Sequence, residues 1–328
     1  LYTFLPGDQG HYSDAYWPTV DATALPGTTE SDGTPPPLQS TPLGTTAWVG
    51  GARLDEGHGA HGLDFAAQDG TLTAKKSWFF GPDGIVCLGA GITGTSGARV
   101  RTVVENRNLG EGGARTLLVD GRQAPGTGDL PHAEWLHLDG TGGYVLLDRT
   151  PVTLLREDRT GTWLGVDTGA NTHGTSTPYT RRYQRIQLGH GAAPTGASYA
   201  YVVLPGASAW QTRAAVGRWR VLTNTIAVQA VELPDRVVAA SFFAAGRVRG
   251  LSVSGPAAAI WGWTGRGETI AVADPTQTQT TLRVTLDRPG CRVAAADPSV
   301  TVVAAGRRLV LDIDVAGALG ATHTITLR

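Results

Sequence analysis

The sequence predicts an all-β chain of many short antiparallel strands, and three observations carry that prediction. Glycine (45 residues) and proline (19) recur throughout the 328 residues and separate short apolar-alternating runs, the punctuation expected of strands joined by turns. No stretch keeps a helical period beyond one or two turns, and only residues 208–216 are drawn as a short helix. After Trp219 the runs become shorter and poorer in aromatics, which marks a second, smaller β-sandwich. The boundary is placed at 217/218, giving a large antiparallel domain over 1–217 and the small sandwich over 218–328.

In chain order, strands are expected at 47–49, 63–65, 72–74, 77–80, 85–88 and 99–104. Gly81-Pro82-Asp83-Gly84 joins two of them as a hairpin turn. Further strands follow at 116–119, 135–138, 143–147, 185–188 and 199–204, then at 221–224, 227–231, 237–243, 282–286, 309–313 and 322–327. Asp274-Pro275, Arg288-Pro289-Gly290 and Asp297-Pro298 punctuate the second half. Residues 30–46, with Pro35-Pro36-Pro37, read as a surface loop because proline cannot feed a central ladder, and residues 161–180 read as a second polar loop. No fixed-period repeat is visible.

Composition limits function. A net charge of −1 provides no global field to recruit nucleic acid or any other polyanion, so a polyanionic partner needs a local arginine cluster. Arginine supplies nearly all the basic residues; Lys75 and Lys76 are the only lysines. Cys87 and Cys291 are too few for a disulfide framework, and Cys87 within Ile85-Val86-Cys87-Leu88 reads as a small buried hydrophobe. No apolar run approaches the roughly 20 residues that span a bilayer. Without methionine, and opening at Leu1-Tyr2-Thr3-Phe4 in the middle of a pattern, the chain is expected to be a piece of a longer protein.

The most informative stretch runs from Gly7 to Asp21 and on to Leu25-Pro26-Gly27-Thr28-Thr29-Glu30. It sets His11, Tyr12, Tyr16 and Trp17 beside Asp8, Asp14 and Asp21. Aromatic faces beside carboxylates suit a sugar polymer, whose apolar faces stack on rings while its hydroxyls bond to acids. A surface loop with two buried aromatics is the plainer alternative, and the residues alone leave both open.

This stretch, GDxxHYSDxYWPTV followed by LPGTT, resembles the start of the β-rich part of the family 8 polysaccharide lyases, the hyaluronate and chondroitin lyases. Ala74-Lys75-Lys76-Ser77-Trp78-Phe79-Phe80 with Ile85 to Ile92, Thr102-Val103-Val104-Glu105-Asn106-Arg107, Gly189-His190-Gly191 with Tyr199 to Pro205, and Val221 to Thr225 with Gln229-Ala230-Val231 resemble further family segments in order. The resemblance implies a large β-supersandwich followed by a C-terminal β-sandwich, without the family's N-terminal helical toroid. It implies β-elimination at a uronic acid of hyaluronan or chondroitin by a secreted bacterial enzyme without a cofactor. An Asn neutralises the uronate, a Tyr helped by a His moves the proton, and an Arg assists. These four lie on the toroid, so no catalytic residue is expected here and the chain alone is expected to be inactive. The implied partners are the glycosaminoglycan and the upstream toroid, not nucleic acid or a membrane. One position carries over: the residue five before the Pro-Gly pair, Asp21, is expected to reach the cleft and to pair with the arginine rather than the uronate, since two anions at about 4 Å repel by ~1–4 kcal/mol. His11, Tyr12, Tyr16 and Trp17 are the expected cleft-lining residues. A non-catalytic carbohydrate-binding β-sandwich is the competing class.

Four other clusters have a plain reading beside a functional one. Asp55-Glu56-Gly57-His58-Gly59-Ala60-His61-Gly62-Leu63-Asp64 holds metal-ligand types but not on a helix and without a third histidine at a zinc spacing, so a polar loop is favoured. Gly89-Ala90-Gly91-Ile92-Thr93-Gly94 mimics a dinucleotide fingerprint without a following helix, and a β-turn is favoured. Trp261-Gly262-Trp263 puts two rings on one strand face, for core packing or for sugar stacking. Arg181, Arg182 and Arg185 beside Tyr179 and Tyr183 suit an anionic glycan or a charged edge strand.

Overall fold

The computed structural model describes residues 1–33, 44–166, 174–265 and 267–328. It is an all-β protein of antiparallel sheets with a few very short helices. By contacts it forms two compact units that interleave along the sequence. The first gathers 1–40, 94–194 and 203–216; the second gathers 41–93, 195–202 and 217–328.

In the first unit a five-stranded sheet runs in the order Thr29–Ser31, Arg99–Asn108, Tyr179–Ala192, Val152–Gly161, Gly128–Leu130. Its centre is the fourteen-residue strand Tyr179–Ala192, which sets Tyr183 opposite Asn108 on one side and Glu157 on the other. A meander of Gly142–Leu146, Trp135–Leu138 and Leu117–Val119 lies beside the helix Ala209–Ala214. That helix forms where expected. Ser208 Oγ accepts from the Gln211 N–H at 3.3 Å while Gln211 Oε1 accepts from the Ser208 N–H at 2.8 Å, a reciprocal cap that satisfies two otherwise orphaned donors.

In the second unit the strands Val49–Arg53, Gly59–Ala66, Leu72–Gly81 and Gly84–Gly94 lie in order, with Pro82 and Asp83 forming the expected hairpin turn. Residues 217–328 fold as two sheets over one core. Seven strands run from Arg220–Asn224 to an edge at Val293–Ala296; five run Gly246–Val248, Leu251–Val253, Thr281–Leu286, Leu309–Asp314, Val300–Ala305. Alternating residues from both, including Phe242, Ile260's neighbours Ala259 and Trp261, Ile270, Leu282, Val284, Leu311 and Ile313, are buried between them, as packed sheets require.

The structure revises several expectations. Residues 89–94 are not a turn but part of the strand Gly84–Gly94. A Cβ on Gly89 would sit 2.1 Å from Tyr199 Cε1, so the glycine exists to admit an aromatic ring. The separate runs 72–74 and 77–80 are one strand, Leu72–Gly81. Val152–Gly161 is a ten-residue strand that the sequence reading leaves out. Of the expected loop at 30–46, residues 34–43, with Pro35-Pro36-Pro37, lie outside the described residues. Of that at 161–180, residues 167–173 do; its flanks are the end of a strand at Gly161, a four-residue helix Trp163–Val166 and a strand beginning at Tyr179. Cys87 and Cys291 are both free and buried, and burial pushes the Cys87 thiol up to about 12. No helix among the described residues is long and apolar enough to cross a membrane.

Candidate functional site

The opening stretch folds as two helical turns, α1 (Gln9–Ser13) and α2 (Tyr16–Thr19), packed on the five-stranded sheet of the first unit. Neither has the length to be stable alone. Their support is an aromatic cluster: Tyr16 packs against His11, Tyr12 and Trp17 with ring centroids 5.3, 5.2 and 5.2 Å away, and against Tyr183 at 6.3 Å. The Thr19 and Tyr183 hydroxyls share a hydrogen bond of 2.9 Å. Ala15 links the turns in the left-handed region at φ 50°, a conformation that costs a side-chain-bearing residue energy and needs such packing to hold it.

Carboxylates on this segment meet arginines on the sheet. Residues 181, 183 and 185 point to one face because side chains alternate along a strand, so Arg181 and Arg185 flank Tyr183. Arg181 grips Asp14 through two bonds, Nε to Oδ2 at 2.7 Å and Nη2 to Oδ1 at 2.6 Å. Arg185 Nη1 donates to Asp21 Oδ2 at 2.8 Å. The other Asp21 oxygen accepts from the Thr23 N–H at 3.0 Å and the Thr23 hydroxyl at 2.7 Å. Arg159, opposite Arg181 in the ladder, donates to the Thr19 carbonyl at 2.9 Å, and Arg101 pairs with Asp32. Burial works against ionisation of Asp21, but the bonds from Thr23 and Arg185 outweigh it and hold the carboxyl below its ordinary range. The Arg181 bonds do the same for Asp14. Asp21 is therefore an anion at neutral pH with both oxygens engaged.

Beneath the segment lies a second charged cluster, fully enclosed. Arg107 has no exposed surface. Its guanidinium donates to Asp8 Oδ2 at 3.2 Å, Thr3 Oγ1 at 2.6 Å and Glu105 Oε2 at 3.1 Å. Glu105 also accepts from the Tyr144 hydroxyl at 2.7 Å and the Asn106 N–H at 2.9 Å, and Asp8 accepts from the Leu5 N–H at 3.2 Å. Asn108 Nδ2 donates to the Asp14 carbonyl at 3.2 Å and Asn106 Nδ2 to the Ala24 carbonyl at 3.0 Å. This network ties residues 3–24 to the strand Arg99–Asn108. Burial opposes the charge on Arg107, but Glu105, foremost among its neighbours, raises its pKa overall. His11, beside it, is lowered to about 4 by burial and then by Arg107, so the imidazole is neutral at physiological pH.

The sequence-derived residues part company here. Asp21 is half-buried and salt-bridged within the chain. Trp17 is 48 % exposed and Tyr12 is partly exposed, its hydroxyl bonded to the Thr3 carbonyl at 2.9 Å. Tyr16 is at 0 % exposure, a correction to its expected place on a cleft wall: its ring fills the interior between segment and sheet, and burial raises its hydroxyl pKa. His11 is buried as well and presents no face to a ligand. The strand with Arg181 and Arg185 is the centre of its sheet, not a charged edge. In the 55–64 cluster, His58 is held between Asp55 (2.8 Å from Nδ1) and Asp235 (2.6 Å from Nε2). No group of three or more His, Cys, Asp or Glu among the described residues is arranged to hold a metal. Trp261 is core, whereas Trp263 is 80 % exposed. Arg107, Glu105 and Arg159 carry no local sequence signal of a site; the Arg-x-Tyr-x-Arg alternation at 181–185 is the signal for the sheet face.

An antiparallel super-sandwich carrying this segment, followed by a β-sandwich, defines the β-portion of a carbohydrate-active lyase fold. The model for the super-sandwich domain of polysaccharide lyase family 8 matches residues 1–216, and that for the family's C-terminal β-sandwich domain matches residues 220–283. The chain belongs to polysaccharide lyase family 8. It is 43 % identical over 325 residues to a hyaluronate lyase from Thermasporomyces composti, covering 95 % of this chain and 41 % of that protein. It is 35 % identical over 334 residues to a xanthan lyase from Bacillus sp. strain GL1, covering 95 % and 35 %. Among solved structures it is similar to a Streptomyces coelicolor A3 chondroitin AC lyase in complex with chondroitin sulphate, with TM-score 0.85, 39 % identity, and 98 % of this chain and 42 % of that one covered. The chain thus spans about two-fifths of the length of the relatives it matches.

Proposed function

We propose that this chain is the β-domain portion of a secreted bacterial polysaccharide lyase that cleaves hyaluronan or chondroitin by β-elimination at the uronic acid. In this reading the Asn, His, Tyr and Arg that perform the elimination belong to an upstream helical domain, and the segment 8–30 forms one wall of the cleft. The observation that carries the reading is Asp21, five residues before Pro26-Gly27, held as an anion by Thr23 and Arg185. A carboxylate so engaged is a poor proton acceptor. Its chemical use is to fix a guanidinium and the loop around it, so that a substrate sugar meets a preset surface. The kinship with hyaluronate, chondroitin and xanthan lyases supports a lyase of anionic polysaccharide.

The test compares the 328-residue chain with a longer protein that includes its upstream segment. Release of unsaturated uronide, read by its ultraviolet absorbance, is expected only from the longer protein. Turnover by the purified, sequence-verified 328-residue chain would sink the division of labour.

A further inference from the structure

The second unit carries a concentration of arginine far from the segment just described in sequence. The ladder pairs Val248 with Leu251, Leu251 with Leu286, and Leu286 with Leu309. This register brings the turn after residue 248, the loop after residue 286 and the turn before residue 309 to one end of the C-terminal sandwich. Two backbone bonds lock them together, Asp287 N–H to the Gly250 carbonyl at 2.9 Å and Gly290 N–H to the Gly306 carbonyl at 3.0 Å. Between them lies an open groove of about 730 Å³, lined by Arg247, Arg307, Arg308 and Asp287 over a small apolar floor that includes Pro289 and Val310.

Its electrostatics are unbalanced. Asp287 takes one bond from each of two arginines, Arg247 Nη2 at 2.6 Å and Arg308 Nε at 2.6 Å, and so fixes both guanidiniums through one nitrogen each. The two side chains are 61 % and 65 % exposed. Arg307 is exposed and has no ion-pair partner among the described residues. Three guanidiniums thus line the groove with one carboxylate. Guanidiniums in this arrangement suit carboxylate and sulfate groups, which they bind through paired hydrogen bonds.

An exposed aromatic is linked to this end through Arg288. Trp263 lies opposite Glu268 in the ladder, one step beyond the buried pair Trp261 and Ile270 on the same face, and emerges 80 % exposed. Glu268 pairs with Arg288, next in sequence to Asp287. An exposed indole can stack on one pyranose face. Nucleic acid fits less well: binding it usefully rests on neutralising about 6–10 phosphates, and three guanidiniums, two of them already bonded to Asp287, on a chain of net charge −1 fall short of that.

We propose that this groove is a second, non-catalytic binding site for a carboxylated or sulfated polysaccharide, tethering the polymer through Arg247, Arg307 and Arg308. The ligand class rests on the polysaccharide-lyase reading above. The test is calorimetric titration of the 328-residue chain with a chondroitin sulfate hexasaccharide, a hyaluronan hexasaccharide and a thymidylate hexanucleotide. The double variant Arg307→Ala/Arg308→Ala is expected to weaken hexasaccharide binding at least tenfold at unchanged urea midpoint. The charge-matched control Arg122→Ala/Arg213→Ala leaves it as in the parent, and Arg307→Lys/Arg308→Lys restores part of it, since lysine keeps the charge but not the fork. Hexasaccharide affinity unaltered by the double alanine variant overturns the proposal, as does hexanucleotide binding of equal strength. Uronide release by the longer protein is a separate readout. A protein that binds through the groove but never cleaves refutes the lyase reading alone; one that cleaves, with binding indifferent to Arg307 and Arg308, refutes the groove alone.

Discussion

Replacing Arg107 by methionine tests what fixes the opening segment to its sheet. The guanidinium makes three side-chain bonds, to Asp8, Thr3 and Glu105, with no exposed surface. Methionine fills much of the volume but leaves two carboxylates enclosed without their cation. Breaking a buried pair by removing one partner costs about 3–5 kcal/mol, and the bonds that remain to Glu105 from Tyr144 and Asn106, and to Asp8 from Leu5, do not replace the lost charge. For a domain of this size each kcal/mol moves Tm by about 2–4 °C, so a fall of roughly 6–20 °C is expected. Urea titration followed by tryptophan fluorescence gives the free energy directly. The companion variant Asp8→Asn/Glu105→Gln/Arg107→Met removes the whole set of charges. It is expected to recover more than half of the loss, because desolvating several ions costs nearly as much as their attraction returns. A loss below about 1 kcal/mol for the single variant, typical of an exposed pair, would refute the reasoning. So would a triple variant whose loss equals the sum of three separate substitutions, since residues of one network are not additive.

Three further outcomes follow from the geometry. Asp21→Ala, made in the longer protein, is expected to lower turnover more than it lowers the urea midpoint; unchanged kinetics would return Asp21 to a loop role. At His58, burial opposes the proton but Asp55 and Asp235 prevail and raise the pKa above 6.5. The folded state therefore binds that proton more tightly than the unfolded chain. Its stabilisation is complete below about 6.5, the unfolded value, and is lost as pH climbs through the raised native value. His58→Gln should flatten the urea-midpoint profile across this window, and an identical profile in the variant would remove His58 as its source. Gly89→Ala places a methyl 2.1 Å from Tyr199 Cε1, and the overpacking is expected to cost about 1–3 kcal/mol in the same denaturation assay; a neutral result would mean that the ring moves freely.

What could be read from the sequence was whatever a single strand declares about itself. Runs such as 135–138 and 309–313 alternate or stay apolar, and Gly81-Pro82-Asp83-Gly84 carries its own turn chemistry, so they fold as read. The strand Val152–Gly161 does not declare itself, because its second half is Arg156-Glu157-Asp158-Arg159. Those charges find partners far away in sequence, Asp158 across the ladder in Arg182 at 2.7 Å and Arg159 in the Thr19 carbonyl of α2, and only the fold reveals it. Glu105-Asn106-Arg107-Asn108 is polar throughout, yet all four are buried: Asn106, Arg107 and Asn108 find partners from Thr3 to Ala24, some eighty to a hundred residues earlier, and Glu105 in Arg107 and Tyr144. The two short helices α1 and α2 are below the length at which periodicity is visible, and they exist because Tyr16 and Val20 pack with Tyr183. The Asp21–Arg185 pair joins residues 164 apart, and no local pattern in the sequence joins them.

The two charged layers under residues 8–24 have different consequences for chemistry. The inner one, around Arg107, is closed to solvent and fixes the backbone. The outer one, Asp14 with Arg181 and Asp21 with Arg185, is partly open, and each of its carboxylates is pinned by a guanidinium on the central strand. Holding a loop by ion pairs to a rigid strand lets it present a surface without the ordering cost that a mobile loop incurs on meeting a ligand. A group that has to give and take a proton needs the opposite, a pKa near working pH and a free lone pair. Asp14 and Asp21 are ionised and engaged, His11 is neutral and enclosed, and Tyr16 and Tyr183 are raised by burial, Tyr183 to about 12. The segment is thus built to hold a shape, and none of these five groups combines a pKa near working pH with an open lone pair.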